Sequence, residues 1–385
     1  MSHNRTIPYV FRLRAIIGIM ALAAGCAGKS DSSNANKDSS GAAPPMRVAL
    51  VTLGSVADQA WNSGAYQGLL TLRDSLGAQV SNVQTKTPAE FDENFRQYGA
   101  QGYTLVFGHG FEFQDAAARV APAFPKTIYV VTSGRVTGDN VAGVSFLFEE
   151  ASYQAGMIAG AMTRTNTIGM IGGTEYPPVK ASFAAFARGA QAVNPNAKVI
   201  TSYIGNWEDV SAGKEQALAQ ITRGVDVIFQ NADAAGLGVF QAARERKVYA
   251  FGANADQNKL APDVILGSIV IDWPKLFMQI GREVQSGSFK GRVITPGVKD
   301  DVVLLVLNPE IKSVIPASAI AASDSVGAMI KAGAFRSLDD ILAGADTAKP
   351  IKPNKPCPPP RQRVRIDHVD SHSHARREDR RHPAA

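Results

Sequence analysis

Three tryptophans, Trp61, Trp207 and Trp273, each have aspartates or asparagines beside them in the chain. Aromatic faces stack on flat or ring-shaped molecules, while carboxylate and amide groups fix the orientation of such a molecule through hydrogen bonds. Together these residue types are typical of a pocket for a heterocycle or a sugar. A loop tryptophan can instead cover the edge of a core, and a loop aspartate can cap a helix. The pocket therefore depends on other elements bringing the three side chains together.

Short runs rich in Val and Ile alternate with longer helical patterns through the body of the chain. Several runs are continuously apolar, as the strands of a parallel sheet covered on both faces should be. Strand and helix alternation predicts an α/β fold with parallel sheets and right-handed crossovers. The predicted strands are residues 47–52, 104–107, 127–131, 141–145, 167–171, 198–203, 225–230, 249–252 and 266–270, and the predicted helices are residues 58–76, 90–100, 112–124, 149–163, 179–194, 211–223 and 237–246.

The loops that follow the predicted strands carry the polar and aromatic residues. In parallel sheets, ligands lie beyond the carboxyl ends of the strands, where loops lead into helices. Trp61 follows the first predicted strand, Trp207 follows strand 198–203, and Trp273 follows strand 266–270. We therefore expect the three tryptophans to meet at one ligand site.

Composition excludes several classes of protein. The formal charge of the whole chain is +6, but residues 47–346 carry 25 Lys and Arg against 28 Asp and Glu, a net charge of −3. This balance predicts no nucleic-acid partner. The two cysteines, Cys26 and Cys357, lie outside that body, and His109 is its single histidine. Thiolate sites, disulfides, a multi-histidine zinc site and a catalytic triad are therefore not expected. We predict no enzyme, no cofactor and no metal.

Catalysis by carboxylates alone is the alternative that this composition leaves open. A hydrolase could use Asp58, Glu112, Glu208 or Asp209. Turnover of a nucleoside to its base by the pure protein would support this alternative, and recovery of unchanged ligand would count against it.

The amino-terminal residues predict export and lipidation. Residues 1–25 combine arginines with a ten-residue apolar run, which suits a signal peptide and is too short for a bilayer span of about 20 residues. Small residues precede Cys26, as at the lipidation site of a bacterial lipoprotein; an ordinary signal peptide with an incidental cysteine is the alternative. Residues 26–46 read as a flexible tether, and residues 347–385, rich in Pro, Arg and His, as a disordered tail.

Residues 47–309 resemble the basic membrane protein family of ABC-transporter substrate-binding lipoproteins, which includes purine-nucleoside receptors. The matching stretches are DQAWN at 58–62, GFEF at 110–113, EASYQAG at 150–156, GNWED at 205–209 and DQ at 256–257. The resemblance implies the type I periplasmic-binding-protein fold, with two Rossmann-like lobes of parallel sheets joined by three crossovers. The N-lobe would be residues 47–145 plus about 272–305, and the C-lobe residues 146–271 plus about 306–346.

The same resemblance assigns expected roles to particular residues. Trp207 matches an aromatic that sandwiches the base, and Asn62 a residue that binds the base edge. Asp233 and the pair Asn254 and Asp256 occupy loops that hold ribose hydroxyls in nucleoside receptors. The full set of expected ligand-binding residues is Asp58, Trp61, Asn62, Phe111, Trp207, Asp233, Asn254, Asp256, Asp272 and Trp273.

Two departures from the family pattern bear on the ligand. Asn254 replaces a carboxylate, and Ile271 stands where nucleoside receptors carry a lysine. Both lost groups suit ribose hydroxyls, so a free purine base, or another flat heterocycle held between tryptophans, is an alternative to a purine nucleoside; a purine-type ligand remains the expectation.

We therefore expect a monomeric lipoprotein of the bacterial cell envelope. It would be held to a membrane by its lipid, and it would deliver a purine-type ligand to an ABC permease by hinge closure. A ligand-sensing receptor of the same fold is the alternative, and neighbouring ATPase and permease genes would favour uptake.

Overall fold

The computed structural model of the protein describes residues 45–335, and within them the chain forms two six-stranded sheets. The strands are β1 (Arg47–Thr52), β2 (Gln79–Gln84), β3 (Leu105–His109), β4 (Ile128–Thr132), β5 (Val141–Val144), β6 (Thr167–Gly172), β7 (Lys198–Tyr203), β8 (Val227–Asn231), β9 (Tyr249–Asn254), β10 (Ile265–Ile271), β11 (Val293–Ile294) and β12 (Val303–Leu307).

The first sheet has the order β11-β5-β4-β3-β1-β2, and the second has the order β12-β10-β9-β8-β6-β7. The neighbouring strands pair in parallel, except that β12 runs antiparallel to β10. The chain passes between the sheets three times, after β5, after β10 and after β11. The predicted α/β fold with two parallel sheets and three crossovers is therefore confirmed.

Nine α-helices cover the sheets within residues 45–335: α1 (Trp61–Leu76), α2 (Pro88–Ala100), α3 (Gln114–Val120), α4 (Phe148–Met162), α5 (Pro177–Val193), α6 (Val210–Thr222), α7 (Gly236–Arg246), α8 (Trp273–Gln285) and α9 (Ala317–Lys331). Helices α2, α6 and α8 begin with a residue whose side chain caps the helix. The Asp209 side chain accepts a hydrogen bond from the Ala212 backbone N–H at the start of α6, and Pro88 follows the capping Thr87 of α2.

Helix α8 returns the chain to the first sheet. It packs against α1, and the Phe277 ring stacks on the Phe107 ring of β3 with centroids 3.9 Å apart. Helix α4, buried over most of its length, contacts α5, α9, β10 and β12. Elements late in the sequence thus complete both sheets. Helix α8 and β11 belong with the first sheet, and β12 and α9 belong with the second.

Nine of the twelve strands overlap a predicted one. The polar edge strand β2 was not predicted, nor were β11, β12, α8 and α9. The predicted helix 112–124 is wrong as a single element, because Phe111–Phe113 and Ala121–Ala123 form 3-10 turns around the short α3. Pro122, in the second of these turns, has no N–H to donate to a helix. The predicted helix 58–76 begins only at Trp61.

Among residues 45–335, no helix has the length and apolar character needed to cross a membrane. The predicted signal peptide, the lipidation site at Cys26 and the tail at 347–385 lie outside the described residues.

Candidate ligand-binding cleft

A cavity of about 1890 Å³ is lined by the loops that follow strands of both sheets. Drug-sized ligands occupy pockets of roughly 300–1,000 Å³, so this cleft has room for a small molecule and the water around it. The loops after β1 and β3 line it from the first sheet, and those after β6, β7, β8 and β9 line it from the second. This is the edge at which parallel sheets bind ligands.

Trp61 lies on the first-sheet side of the cleft, half-buried at the start of α1. Its indole stacks on the imidazole of His109, with centroids 4.4 Å apart and an angle of 20° between the rings. Trp273 and Phe146 meet the Trp61 ring edge-on, at 4.9 and 6.1 Å between centroids. These four rings, Trp61, His109, Phe146 and Trp273, form an aromatic cluster that holds the indole in one orientation.

His109 is held from both ring nitrogens. Nε2 lies 3.0 Å from the Trp61 carbonyl oxygen, to which it donates, and Nδ1 lies 2.9 Å from the Thr132 hydroxyl, from which it accepts. Burial lowers the pKa of His109 to about 3, against a partial offset from its bond to Trp61 and the charge of Asp58. The imidazole is therefore neutral at physiological pH and acts as a rigid aromatic support.

The Asp58 carboxylate organises the loop between β1 and α1. It accepts hydrogen bonds from the backbone N–H groups of Ala60, Asn62 and Ser63 at 2.8–3.0 Å, and from the Asn62 side-chain amide at 2.8 Å. The Asn62 Oδ1 atom is buried and has no hydrogen-bond partner among the described residues. Asp58 is thus a capping group, and it leaves Asn62 with a free acceptor at the cleft.

Asp233 and Asn254 lie together on the second-sheet side. Asn254 Nδ2 donates to Asp233 Oδ1 and to Asn231 Oδ1, each at 3.2 Å. Burial raises the pKa of Asp233 well above its ordinary value, and the nearby Asp58 charge raises it further. Both Asp233 and Asn254 have positive φ angles, 50° and 69°, a conformation in which Asp and Asn are enriched.

A second aromatic group, Phe111, Tyr176 and Trp207, joins loops of both sheets. The Tyr176 ring stacks on Phe111 at 5.4 Å and tilts against Trp207 at 6.1 Å between centroids. The Tyr176 hydroxyl and the Glu112 carboxylate lie close enough to shift each other's pKa. Burial, with the Glu112 charge, raises the pKa of Tyr176 to about 12, so the hydroxyl keeps its proton and can donate it to the carboxylate.

The position of Trp207 depends on Gly173. A Cβ atom at Gly173 would lie 2.1 Å from Cε3 of the Trp207 ring. Glycine at this position therefore lets the indole lie flat against the loop that follows β6.

Further contacts cross from one sheet to the other. Gln257 Nε2 donates to the Gln59 carbonyl oxygen at 3.3 Å, and Gln257 Oε1 accepts from Gln230 and from the Ala253 backbone N–H. The Asp233 carboxyl group also lies close enough to the Trp61 backbone for that backbone to lower its pKa, against the larger effect of burial. The two sides of the cleft are thus already in contact at its inner end.

The structure brings seven of the ten expected residues to the cleft: Asp58, Trp61, Asn62, Phe111, Trp207, Asp233 and Asn254. The other three lie outside its lining. Asp256 is exposed and accepts from the Asn258 backbone N–H, and Asp272 caps α8 through the Lys275 backbone N–H. Trp273 is 1% exposed and packs behind Trp61, and a Cβ atom at Gly64 would lie 2.3 Å from its ring.

Sequence reasoning did not single out His109, Tyr176 or Glu149 as site residues, yet all three line the cleft. His109 is the single histidine of residues 47–346, and this fact could have marked it as a candidate site residue. Nothing in the sequence marks Tyr176 or Glu149, which sit just before and just inside the starts of two helices. Within residues 45–335, no cluster of three or more His, Cys, Asp or Glu side chains could hold a metal ion.

Comparison with known proteins gives a consistent family likeness. Residues 46–325 match the family described as ABC transporter substrate-binding protein PnrA-like. The chain is 29% identical to a purine-binding protein of Brucella abortus, over 67% of this chain and 74% of that one. It is 28% identical to the ABC transporter nucleoside-binding protein BmpA of Lactococcus lactis, over 81% and 94%.

The fold is shared with a solved ABC transporter solute-binding protein of Aeropyrum pernix. The two structures superpose with a TM-score of 0.70 over 78% of this chain and 97% of that one, at 20% sequence identity.

Proposed function

The chain belongs to the PnrA-like family of ABC transporter substrate-binding proteins, and from this premise we propose that its cleft binds a purine nucleoside or a free purine base. Members of the family are substrate-binding proteins and not enzymes, which confirms that part of the sequence prediction. Family membership therefore counts against a carboxylate-dependent hydrolase.

The observation that carries the ligand class is the half-buried indole of Trp61 beside the free Oδ1 of Asn62. His109 covers one face of the indole, so a planar ring stacks on the other face. The Asn62 oxygen accepts an N–H of the base, which satisfies a buried acceptor that otherwise has no partner. Trp207, Asp233 and Asn254 contact the remainder of the ligand from the second sheet.

Both ligand types have support. The relative from Brucella abortus is named for purine and the one from Lactococcus lactis for nucleoside. Ile271 lines the cleft and supplies no charge for ribose, while Asp233 and Asn254 supply hydrogen-bonding groups. These two residues hold the ribose of a nucleoside, while Trp61 and Asn62 hold the base of either ligand.

Transport follows from hinge closure. The first-sheet side (residues 47–145 with about 272–305) and the second-sheet side (residues 146–271 with about 306–335) act as two lobes, and the three connections between the sheets form the hinge. Ligand binding favours the closed form, which the permease of an ABC importer recognises. The protein acts as a monomer, tethered outside the cytoplasm by a lipid on Cys26.

Calorimetric titration of the full-length chain with adenosine, guanosine, inosine, adenine and guanine tests the ligand. Saturable binding of at least one purine, with none of a pyrimidine nucleoside or a hexose, is the expected result. Binding of a sugar without any purine would replace the proposed ligand class.

The anchor needs a separate test. In cells expressing the chain, Cys26→Ser should move the protein from the membrane fraction to the soluble one and abolish incorporation of labelled fatty acid. Unchanged labelling of the Cys26→Ser protein would contradict the anchor.

A further inference from the structure

Among the cleft carboxylates of the described residues, Glu149 is the one with a buried oxygen that has no hydrogen-bond partner. It lies in the first turn of α4, is 5% exposed, and contributes to the cleft lining. Its Oε2 atom is buried and accepts no hydrogen bond from residues 45–335. Asp58 and Asp233, the other buried acids of the cleft, both have hydrogen-bond donors.

The neighbours of Glu149 do not use this oxygen. Glu150, the next residue of the helix, points elsewhere, because its carboxylate accepts from the Val298 backbone N–H at 2.7 Å. Arg135 reaches the cleft from the loop after β4, where its Nη1 donates to the Ser145 hydroxyl at 3.2 Å. The side chains of Phe146 and Phe148 form an apolar part of the cleft wall. The surrounding residues therefore bury the Glu149 carboxyl group but donate no hydrogen bond to its Oε2 atom.

Burial raises the pKa of Glu149 to about 7; the Glu150 charge adds to this effect, and Arg135 opposes it. A buried acceptor without a donor is costly to maintain. A donor supplied from the cleft would remove that cost and would stabilise the ionised form of the group.

We propose that the Glu149 carboxylate is a ligand contact, which accepts a hydrogen bond from an N–H or O–H donor of the bound solute. The inference rests on the proposed function, which supplies a purine-type solute. Two sources have this chemistry: an amine of the base and a hydroxyl of the ribose. Glu149 is thereby a specificity-determining residue on the α4 side of the cleft.

Preference for the ionised carboxylate makes the affinity depend on pH. A ligand that binds only the ionised form of a group with a pKa near 7 binds about tenfold more tightly at pH 8 than at pH 6. Asp233 and Glu112, whose pKa values burial also raises, face the same cleft, as does the Arg135 guanidinium, while His109 stays neutral over this range. The contribution of Glu149 is therefore the difference in the pH dependence of the affinity between the unchanged protein and Glu149→Gln.

The experiment measures Kd by calorimetry at pH 6 and pH 8 for the full chain, for Glu149→Gln and for the control Glu93→Gln. Glu93 is exposed on α2, outside the cleft, and its replacement changes the net charge equally. The probes are adenosine, inosine, guanosine and adenine. Glu149→Gln should weaken binding about tenfold at pH 8 and flatten the pH dependence, while Glu93→Gln should match the unchanged protein.

Two further measurements test the proposed Glu149 contact, one without a variant and one that identifies the donor group of the ligand. Titrations of the unchanged protein in buffers of different ionisation enthalpy should show proton release on binding at pH 7, which requires no variant to fold. A loss of affinity for adenosine and adenine alike assigns the donor to the base, and a loss for adenosine alone assigns it to the ribose.

Other outcomes overturn the inference. Glu149 is not an acceptor if Kd depends on pH equally in the unchanged protein and in Glu149→Gln. The same holds if the unchanged protein binds more tightly at pH 6 than at pH 8. Either result leaves the proposed function in place. Absence of binding to any probe by the unchanged protein overturns the proposed function and the inference with it.

Discussion

The Trp61 indole stacks on the His109 imidazole, with ring centroids 4.4 Å apart and an angle of 20° between the planes. Because His109 donates to the carbonyl oxygen of Trp61 itself, the histidine fixes both the ring and the backbone of its neighbour. The pair leaves a single face of the indole for a ligand, in an orientation set before the ligand arrives. Such preorganisation reduces the entropy lost on binding.

Replacing Trp61 tests the stacking surface. Trp61→Ala should weaken purine binding by about 10- to 100-fold, since stacking of a base on an aromatic side chain contributes about 1–3 kcal/mol. Trp61→Phe, which keeps a smaller aromatic face, should lose much less. Calorimetric Kd values for adenosine and adenine provide the measurement. If Trp61→Ala bound both ligands as tightly as the unchanged protein, the ligand would have to lie elsewhere in the cleft.

His109 should make the stability of the protein sensitive to acid. Burial lowers its pKa from 6.5 to about 3 in the folded protein, so between these values the unfolded chain takes up a proton that the folded one does not. The free energy of unfolding therefore falls as pH decreases below 6.5, by up to about 1.4 kcal/mol per pH unit from this group.

Urea denaturation of the protein and of His109→Gln at pH 7.5, 6, 5 and 4.5 measures this contribution. The variant is less stable at pH 7.5, because it loses the ring stacking, but its disadvantage should shrink as the pH falls. A stability difference that stays constant over the series would show that the imidazole titrates alike in the folded and unfolded chains.

The Asp233 carboxyl group should lower the stability of the ligand-free protein at neutral pH and strengthen ligand binding. Burial raises its folded pKa above that of the unfolded chain, so the folded protein loses stability as pH rises from about 4 through the folded pKa. Asp233→Asn cannot ionise and keeps the Oδ1 that accepts from Asn254. At pH 7 the ligand-free variant should therefore melt at a higher temperature than the protein and bind adenosine about 10- to 100-fold more weakly, as expected for loss of a hydrogen bond to a charged group.

Asp256→Asn is the matched control for that change. Asp256 is exposed and outside the cleft lining, so its variant should leave both melting temperature and affinity unchanged. A lower melting temperature for Asp233→Asn would indicate that the ionised aspartate stabilises the fold.

The Tyr176 hydroxyl should prolong ligand residence. The hydroxyl and the Glu112 carboxylate, on the loops after β6 and β3, lie close enough to shift each other's pKa, so a hydrogen bond between them would stabilise the form in which the two sides of the cleft meet. Tyr176→Phe keeps the stacking on Phe111 and removes this bond. Loss of about 0.5–1.5 kcal/mol predicts dissociation of adenosine about 2- to 12-fold faster, measured by stopped-flow tryptophan fluorescence.

Tyr203 supplies the comparison, because it lies on β7 outside the cleft lining. Tyr203→Phe should leave the dissociation rate unchanged. Equal rates for Tyr176→Phe and the unchanged protein would indicate that the cross-cleft bond has no part in ligand retention.

Much of the fold could be predicted because the central strands are apolar. The run at 47–52 coincides with β1, the run at 167–171 covers all but the last residue of β6, and Thr104 and Val225 lie within two residues of the starts of β3 and β8. The strand β2 (QVSNVQ) has alternating polar residues and mostly accessible side chains at the edge of the sheet, so its sequence differs little from that of a loop.

The site was predictable only in part, for a reason that lies in the helices. Trp273 shares the residue type and strand-end position of Trp61, but it begins α8, and that helix returns to the first sheet beside Gly64. Its indole is thereby drawn into the core. Asp272 likewise serves as the cap of this helix. Glu149 and Tyr176 reach the cleft through tertiary packing, to which local sequence gives no guide.

The late return of the chain to both sheets also determines the order in which the molecule can be completed during synthesis. Helix α1 presents Leu69 and Leu72 to a core that includes Phe277 of α8, more than 200 residues further along. A nascent chain that ends before α8 therefore leaves that face of α1 open to water. We therefore expect the amino-terminal half to complete its core only once residues 273–307 are available.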